Sequence, residues 1–331
     1  MTHQSSAVPL MARVRPVLSL EGALQSGAAL VVIYVGLLVA FTIASPVFLT
    51  GSNLLNITAS VATLGIVAAV QTAVIISGGF DLSVGSTAAF TSVVAAEMLS
   101  AGVGAPLAIV SALAVGGVIG AGNALVITRL NVNPLIATLG MMSIIRGVAL
   151  VWTDALTVVY PADQLAYLGR ARIGGVQVSI VFMLLTFVAV WAVLRYTVFG
   201  RFVFAVGGNA KAAFLSGVHV NRVRTLVYVA SGLSAALAGL VIASQLIAGS
   251  PQAASGLELS AVTAAVLGGA SLSGGQGRIW MTLVGALIMG TLTNGLVLMD
   301  ISSFWQTAVL GVVLILAVAL DQVRTRTRRK G

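Results

Sequence analysis

The stretch Ile76-Ser77-Gly78-Gly79-Phe80-Asp81-Leu82-Ser83-Val84-Gly85-Ser86 sets a polar, glycine-rich break between two apolar runs, each long enough to cross a bilayer. Lipid satisfies no backbone N–H or C=O group, so a break near hydrocarbon depth must be buried in protein or line an aqueous cavity. A membrane chain that keeps such a passage points to movement of a solute. Outward from the break, composition sets the class: 59% of residues are hydrophobic, 8% are charged, and mean hydropathy is +1.09. Soluble domains carry about a quarter charged residues. The predicted fold class is an all-α polytopic membrane protein, with room for about ten helices of roughly 20 residues.

Apolar stretches between breakers give ten candidate spans: 27–45, 54–77, 84–101, 106–127, 135–152, 178–195, 225–248, 257–272, 279–298 and 304–320. The first is too long for a signal-peptide apolar region and lacks a cleavage site, so it is kept as a span. The weakest is 257–272, which is short and starts with Glu258. With a cytoplasmic N-terminus, ten spans return the C-terminus to the cytoplasm. Of the 17 Lys and Arg residues, all but Arg146, Arg170 and Arg172 then fall on the cytoplasmic side, which is the positive-inside asymmetry. An odd number of spans would put a basic tail outside.

This reading divides the chain into a cytoplasmic tail (1–26), a single transmembrane domain (27–320) and a basic cytoplasmic tail (321–331). The outer segment 153–177, with Asp154, Pro161, Asp163 and several glycines, is expected to form a small structured cap. The cytoplasmic segment 196–224 is longer than a connection between helices normally runs. The net charge of +9 sits in loops and tails, so it reads as topology rather than as a nucleic-acid footprint. There are no cysteines and only two histidines, His3 and His219. Disulfides and thiolate sites are excluded, and a metal centre is not expected.

Within the long cytoplasmic segment, Gly207 to Gly217 reads as a short capped helix. Asn209 suits the N-cap, the Ala-rich run favours helix, and Gly217 suits the left-handed position that ends it. Gly208, Asn209, Lys211, Ala212, Phe214, Leu215, Ser216 and Gly217 would fit a groove on a partner, or the helix would lie among lipid headgroups.

Several motifs occur in order along the chain. After Gly78–Gly85 come Asn133-Pro134-Leu135-Ile136-Ala137-Thr138-Leu139-Gly140-Met141 with Arg146-Gly147, then Val266-Leu267-Gly268-Gly269-Ala270-Ser271-Leu272-Ser273-Gly274-Gly275. Asn294-Gly295-Leu296 and Ser303-Phe304-Trp305-Gln306 follow. Together, over residues 50–320, they resemble the inner-membrane permeases of ribose-type sugar ABC importers, in the branched-chain amino acid and sugar permease superfamily. Leu135 stands where that family frequently carries an aromatic, and 153–160 lacks its Gly-rich wording. Gly200-Arg201 through Gly207-Gly208-Asn209 to Leu215-Ser216-Gly217, then Tyr228 and Ser231-Gly232, look like its coupling-helix region.

The resemblance implies a permease subunit in a bacterial inner membrane that carries a ribose-like or related sugar by alternating access. Its partners would be an ABC ATPase docked at 200–224, a periplasmic or lipid-anchored sugar-binding protein, and a second permease copy, identical or similar. ATP and magnesium would sit on the ATPase, and this chain would bind no cofactor. A branched-chain amino acid or nucleoside permease of the same broad group is the near alternative, and a stand-alone carrier or channel the distant one. Leu272-Ser273-Gly274-Gly275-Gln276 spells the signature of ABC ATPase domains. The chain has no G-x-x-x-x-G-K-[ST] phosphate loop, and the match lies between two apolar spans, so it reads as a turn and the subunit as a non-enzyme.

Ionisable groups cost about 2.5–3.5 kcal/mol at the centre of a membrane helix on insertion scales, so each asks for a reason. Arg146 is expected to face the pathway or to pair with a carbonyl or acid across the bundle, or else to snorkel or clamp helices. Asp81 reads as the cap of a helix beginning near Leu82. Glu97 and Glu258 fall near the outer ends of their spans and need no special role. The amides Gln71, Asn123, Gln245, Asn294 and Gln306 can bind sugar hydroxyls or hold helices together. With Asp81, Thr138 and Arg146 they make up the candidate pathway residues. Gly116-x-x-x-Gly120 suits close helix packing. No chain of mid-span carboxylates marks an ion-coupled carrier, and no His, Cys or paired carboxylates converge as in a membrane enzyme. The driving energy is expected from an ATPase partner.

Overall fold

The computed structural model describes the backbone of residues 28–330 and the side chains of residues 28–322. The segment 1–26 that the sequence sets apart lies outside the described residues. The helices are α1 (Ala28–Ala44), α2 (Gly51–Ile76), α3 (Val84–Ser100), α4 (Ala105–Arg129), α5 (Pro134–Trp152), α6 (Ala166–Gly169), α7 (Val178–Tyr196), α8 (Val198–Gly208), α9 (Ala210–Leu215), α10 (Val220–Leu246), α11 (Leu257–Leu267), α12 (Ile279–Leu298) and α13 (Ser303–Lys330). Four two-residue strands accompany them: β1 (Val158–Val159), β2 (Arg172–Ile173), β3 (Val176–Gln177) and β4 (Ala248–Gly249).

Each apolar run of the sequence has become a helix, and among the described residues seven helices are long and apolar enough to cross a membrane: α2, α4, α5, α7, α10, α12 and the Ser303–Gln322 part of α13. The starts follow local chemistry. The Thr50 hydroxyl accepts from Asn53 N–H ahead of α2. Asn133 caps α5, whose first residue is Pro134, a position where the missing N–H costs nothing. Three boundaries differ from the sequence reading. α11 ends at Leu267, not 272, because the chain turns at Gly268 and Gly269, the latter with φ 86°. α10 begins at Val220, because the turn that closes α9 leads almost directly into it, and α13 continues to Lys330 through the segment expected to be a separate tail.

α2 is the axis of the bundle. Its most apolar window is 94% buried, packed by α7, α10, α11 and α12. α10 lies against α4 and α3, where small residues let backbones approach. A methyl added at Gly116 would lie 2.5 Å from the Gly232 carbonyl oxygen and from Ala236 Cβ. Such contact replaces the hydrophobic effect as the source of helix association in lipid. On the outside, α5 and α7 are only 22% buried over their windows, and Ile136, Ile144, Val151 and Leu185 stand exposed as lipid-facing side chains do.

α11 is the shortest of the helices that the ten apolar runs form. Its 11 residues rise about 16 Å, roughly half of a ~30 Å hydrocarbon core. The passage before it covers the rest. At its start, β4 pairs with β1 of the 153–177 segment, and Gly249 lies on Val93 and Ala96 of α3. At its end, the Ala254 carbonyl and the Glu258 carboxylate reach Gly85, eight residues and so about 12 Å back along α3. Non-helical chain therefore descends into the bundle, turning at Ile247 (φ 57°) and Ala254 (φ 58°), in a region that L-residues other than glycine seldom occupy.

The glycine contacts give a graded prediction. Gly116→Ala should lower unfolding stability in detergent by about 1–3 kcal/mol through overpacking. Gly117→Ala, whose methyl would meet Leu233 at an ordinary 3.5 Å, should be near neutral. Equal thermal midpoints for the two variants would contradict the packing described.

Candidate functional site

The break between α2 and α3 is built around Asp81, which is buried. Its Oδ1 accepts from Ser83 N–H at 3.0 Å, from Ser83 Oγ at 2.6 Å and from Asn123 Nδ2 at 3.4 Å. Its Oδ2 accepts from Ser231 Oγ at 2.7 Å. Asn123 also donates to Ser83 Oγ at 2.8 Å, and Tyr228 Oη donates to the Phe80 carbonyl at 3.0 Å. The carboxylate thus ties the break to α4 and α10. The expected cap at Leu82 is corrected: α3 begins at Val84, and its N-cap Ser83 makes no side-chain capping bond. Asp81 bonds the residue two places on because partners from two other helices fix its direction.

Glu258 is corrected as well. It is buried, not at a helix end near the surface, because the chain has descended before α11 starts. Its Oε1 accepts from Gly256 N–H at 3.3 Å, its Oε2 has no hydrogen-bond partner, and a methyl on Gly85 would collide with it. Beside this junction lies a cavity of about 490 Å³ between α2, α11, α12 and α13. Its polar wall consists of Ser60, Ser255, Ser260, Thr263, Thr293 and Thr307, and no charged side chain lines it. The hydroxyls of Ser60, Ser255, Thr263, Thr293 and Thr307 donate to carbonyls of their own segments. Their oxygens keep lone pairs free to accept.

The eight candidate pathway residues do not meet in one place. Asp81 and Asn123 do. Asn294 pairs reciprocally with Asn53 at 3.0 Å, clamping α12 to α2. Gln306 donates to the Ile301 carbonyl ahead of α13, and Thr138 donates to the Pro134 carbonyl within α5. Gln71 is fully buried with neither amide atom paired, and Arg146 is half-buried with Nε and Nη2 unpaired. Gln245 is half-buried near the end of α10. None of the eight lines the cavity. Sequence reasoning missed the lining because serines and threonines are common in apolar helices, and only the descending 250–256 segment singles these out. Among the described residues no group of three or more His, Asp or Glu side chains could hold a metal ion.

The 196–224 segment carries α8 and α9. The Asn209 side chain accepts from Ala212 N–H at 2.9 Å, and Gly217 adopts φ +85°, as the sequence predicts. Ala213 and Val218 are buried, whereas Phe214 is 68% and Leu215 76% exposed, so α9 presents two large apolar side chains outward. At the other end of the bundle, the 153–177 segment forms α6 and the β2–β3 hairpin. It rests on α10 through Tyr160, whose hydroxyl donates to the Ala243 carbonyl at 2.7 Å. Burial pushes that phenol up to about 12, against the opposing pull of Arg170, so it remains a donor at neutral pH.

Removing the hydroxyl bound by Asp81 Oδ2 tests the node. Ser231→Ala should destabilise the chain by about 1–3 kcal/mol, because a buried acceptor is left unpaired. Ser234→Ala, which removes only a bond to its own helix, should leave the thermal midpoint in place. An equal loss in both would assign the effect to the helix and not to the carboxylate.

Comparison with known proteins places this architecture. Residues 53–318 match the family model described as branched-chain amino acid transport system / permease component. The ribose import permease protein RbsC of Bacillus subtilis (strain 168) is 42% identical over 291 residues, covering 87% of this chain and 90% of that protein. RbsC of Escherichia coli (strain K12) is 43% identical over 281 residues, covering 84% and 88%. The L-arabinose ABC transporter permease protein AraH of Azospirillum brasilense is 37% identical over 300 residues, covering 91% and 88%. No solved structure matches. Matched over residues 53–318, the chain belongs to the family of branched-chain amino acid transport system permease components.

Proposed function

We propose that this chain is the membrane-spanning subunit of an ATP-driven importer and moves a monosaccharide across a bacterial inner membrane by alternating access. The observation that carries the substrate class is the cavity beside α11. Its volume of about 490 Å³ falls within the range of small-molecule sites, and its wall offers hydroxyl acceptors without a charged side chain. A sugar presents hydroxyl donors and no net charge. An amino acid presents an ammonium and a carboxylate, which such a wall would leave unpaired at a cost of several kcal/mol. The ribose and arabinose permeases among the relatives point the same way.

In this reading all ten apolar runs are embedded, α11 with its preceding segment counting as one, and both termini are cytoplasmic. The exposed Phe214 and Leu215 of α9 dock on an ATPase subunit, which binds ATP and magnesium. The 153–177 cap receives a periplasmic or lipid-anchored binding protein, and a second copy of the chain or a close relative completes the pathway. Gly208, Asn209, Lys211, Ala212, Ser216 and Gly217 shape the docking helix. The chain itself does no covalent chemistry. It supplies a passage whose accessible side is set by the docked ATPases.

Two outcomes are expected. Affinity purification of the tagged chain in mild detergent should bring down a phosphate-loop ATPase, and Leu215→Asp should abolish uptake with membrane insertion intact. A chain that purifies alone, with uptake unaffected by Leu215→Asp, would favour a stand-alone carrier. Thr263→Leu, which fills the cavity from α11, should reduce sugar uptake by vesicles without reducing ATPase co-purification. Unchanged uptake would move the sugar path elsewhere.

A further inference from the structure

Gly207 and Gly208, at the hinge between α8 and the docking helix α9, touch two other segments through backbone alone. A methyl on Gly207 would collide with the Ile76 carbonyl at the end of α2 and lie 2.6 Å from Gly275 N. A methyl on Gly274 would lie 2.7 Å from the Gly207 carbonyl and 3.0 Å from Gly78 Cα, and one on Gly275 would lie 2.7 Å from Gly208 Cα. Gly275 N–H donates to the Ile76 carbonyl at 2.8 Å. Gly78, Gly274 and Gly275 all adopt left-handed φ, +81°, +80° and +73°, so conformation favours glycine at all three, and space does so as well at Gly274 and Gly275.

We infer that this three-way glycine junction is the coupling element through which movement of the docking helix reaches the transport pathway; the inference rests on the reading of α9 as the ATPase-docking helix. One arm leads through Gly78 to the break and Asp81, which is bonded to Asn123 of α4 and Ser231 of α10. The other leads through Gly274 and Gly275 into the loop that joins α11 to α12, the two helices that carry Ser260, Thr263 and Thr293 on the cavity wall. Close-packed backbone has no side-chain rotamer with which to absorb a displacement. The resemblance of Leu272-Ser273-Gly274-Gly275-Gln276 to an ATPase signature thereby receives a physical explanation. The paired glycines admit the hinge of the docking loop.

Glycines in different surroundings supply the test. Gly207→Ala crowds the junction, while a methyl on Gly36, within α1, meets nothing within 4 Å. In the reconstituted importer, Gly207→Ala should retain the ATPase but lose substrate-stimulated ATP hydrolysis and uptake, and Gly36→Ala should keep both. Wild-type coupling in both variants overturns the inference and leaves the importer reading standing. A wild-type chain that neither retains nor stimulates an ATPase overturns both together. Because the chain has no cysteine, a readout independent of the glycine variants is available. Spin labels at Ala205→Cys and Ser273→Cys, both at exposed positions, should hold one distance between the nucleotide-free and ATP-bound importer. A distance that shifts between the two states would show the hinge and loop moving separately, and would sink the junction as a coupling element.

Discussion

A peptide group in hydrocarbon has no water to bond, and this constraint organises the bundle. Two passages leave the helical state within it, 77–83 and 247–256. The first is buried at Ser77, Gly79, Asp81 and Ser83, the second at Ala248, Gly249 and Pro251, with Gly78, Gln252 and Ser255 exposed. The first is held by Asp81, whose carboxylate gathers Ser83, Asn123 and Ser231. The second is pinned at one end by the β4–β1 pairing and at the other by Gly85 and Glu258. Both converge on α3, which begins where the first passage ends and packs along the second. The bundle can keep non-helical backbone at depth only because α2, α4 and α10 wall it off. That is the arrangement a solute pathway needs.

Close approach is the second constraint. Helices in lipid gain little from burying apolar side chains, since lipid tails are equally apolar, so association leans on contact between backbones. Gly116 and Gly120 on α4 meet Gly232 and Tyr228 on α10 in this way. The same device recurs at the Gly207–Gly275 junction, where the ends of α8 and α2 meet the loop between α11 and α12. There the contact fixes the relative position of three segments without any side chain, so the geometry is set by the chain path itself.

Much of this was legible in the sequence, and the limits have identifiable causes. Hydropathy located the helices because each apolar run had to become one. Asn209 and Gly217 announced α9 because capping chemistry is local. Asp81 stood out as an acid between apolar runs, yet its partners lie 42 and 150 residues away, and local reasoning supplied a cap instead. Glu258 was placed near the outer end of its span because depth was reckoned from helix starts; it does lie in the first turn of α11, but buried. The error lies in the 250–256 segment, whose small and polar residues carry no periodic signal of a descent into the bundle. The hydroxyl wall of the cavity was invisible for the same reason, since Ser and Thr take their meaning from the facing elements.

The absence of charge along the cavity wall and the exposure of α9 belong to one energetic scheme. In the proposed importer the wall meets an uncharged sugar through hydroxyl oxygens, and the work enters at a surface that a partner ATPase grips, for which the exposed Phe214 and Leu215 at one end of the bundle are the candidates. Between grip and cavity, a flexible side-chain contact would dissipate small displacements into rotamer changes. Backbone packed on backbone at Gly78, Gly207 and Gly275 leaves far less slack. In the proposed importer these backbone contacts stand where a transmitted movement would otherwise be lost.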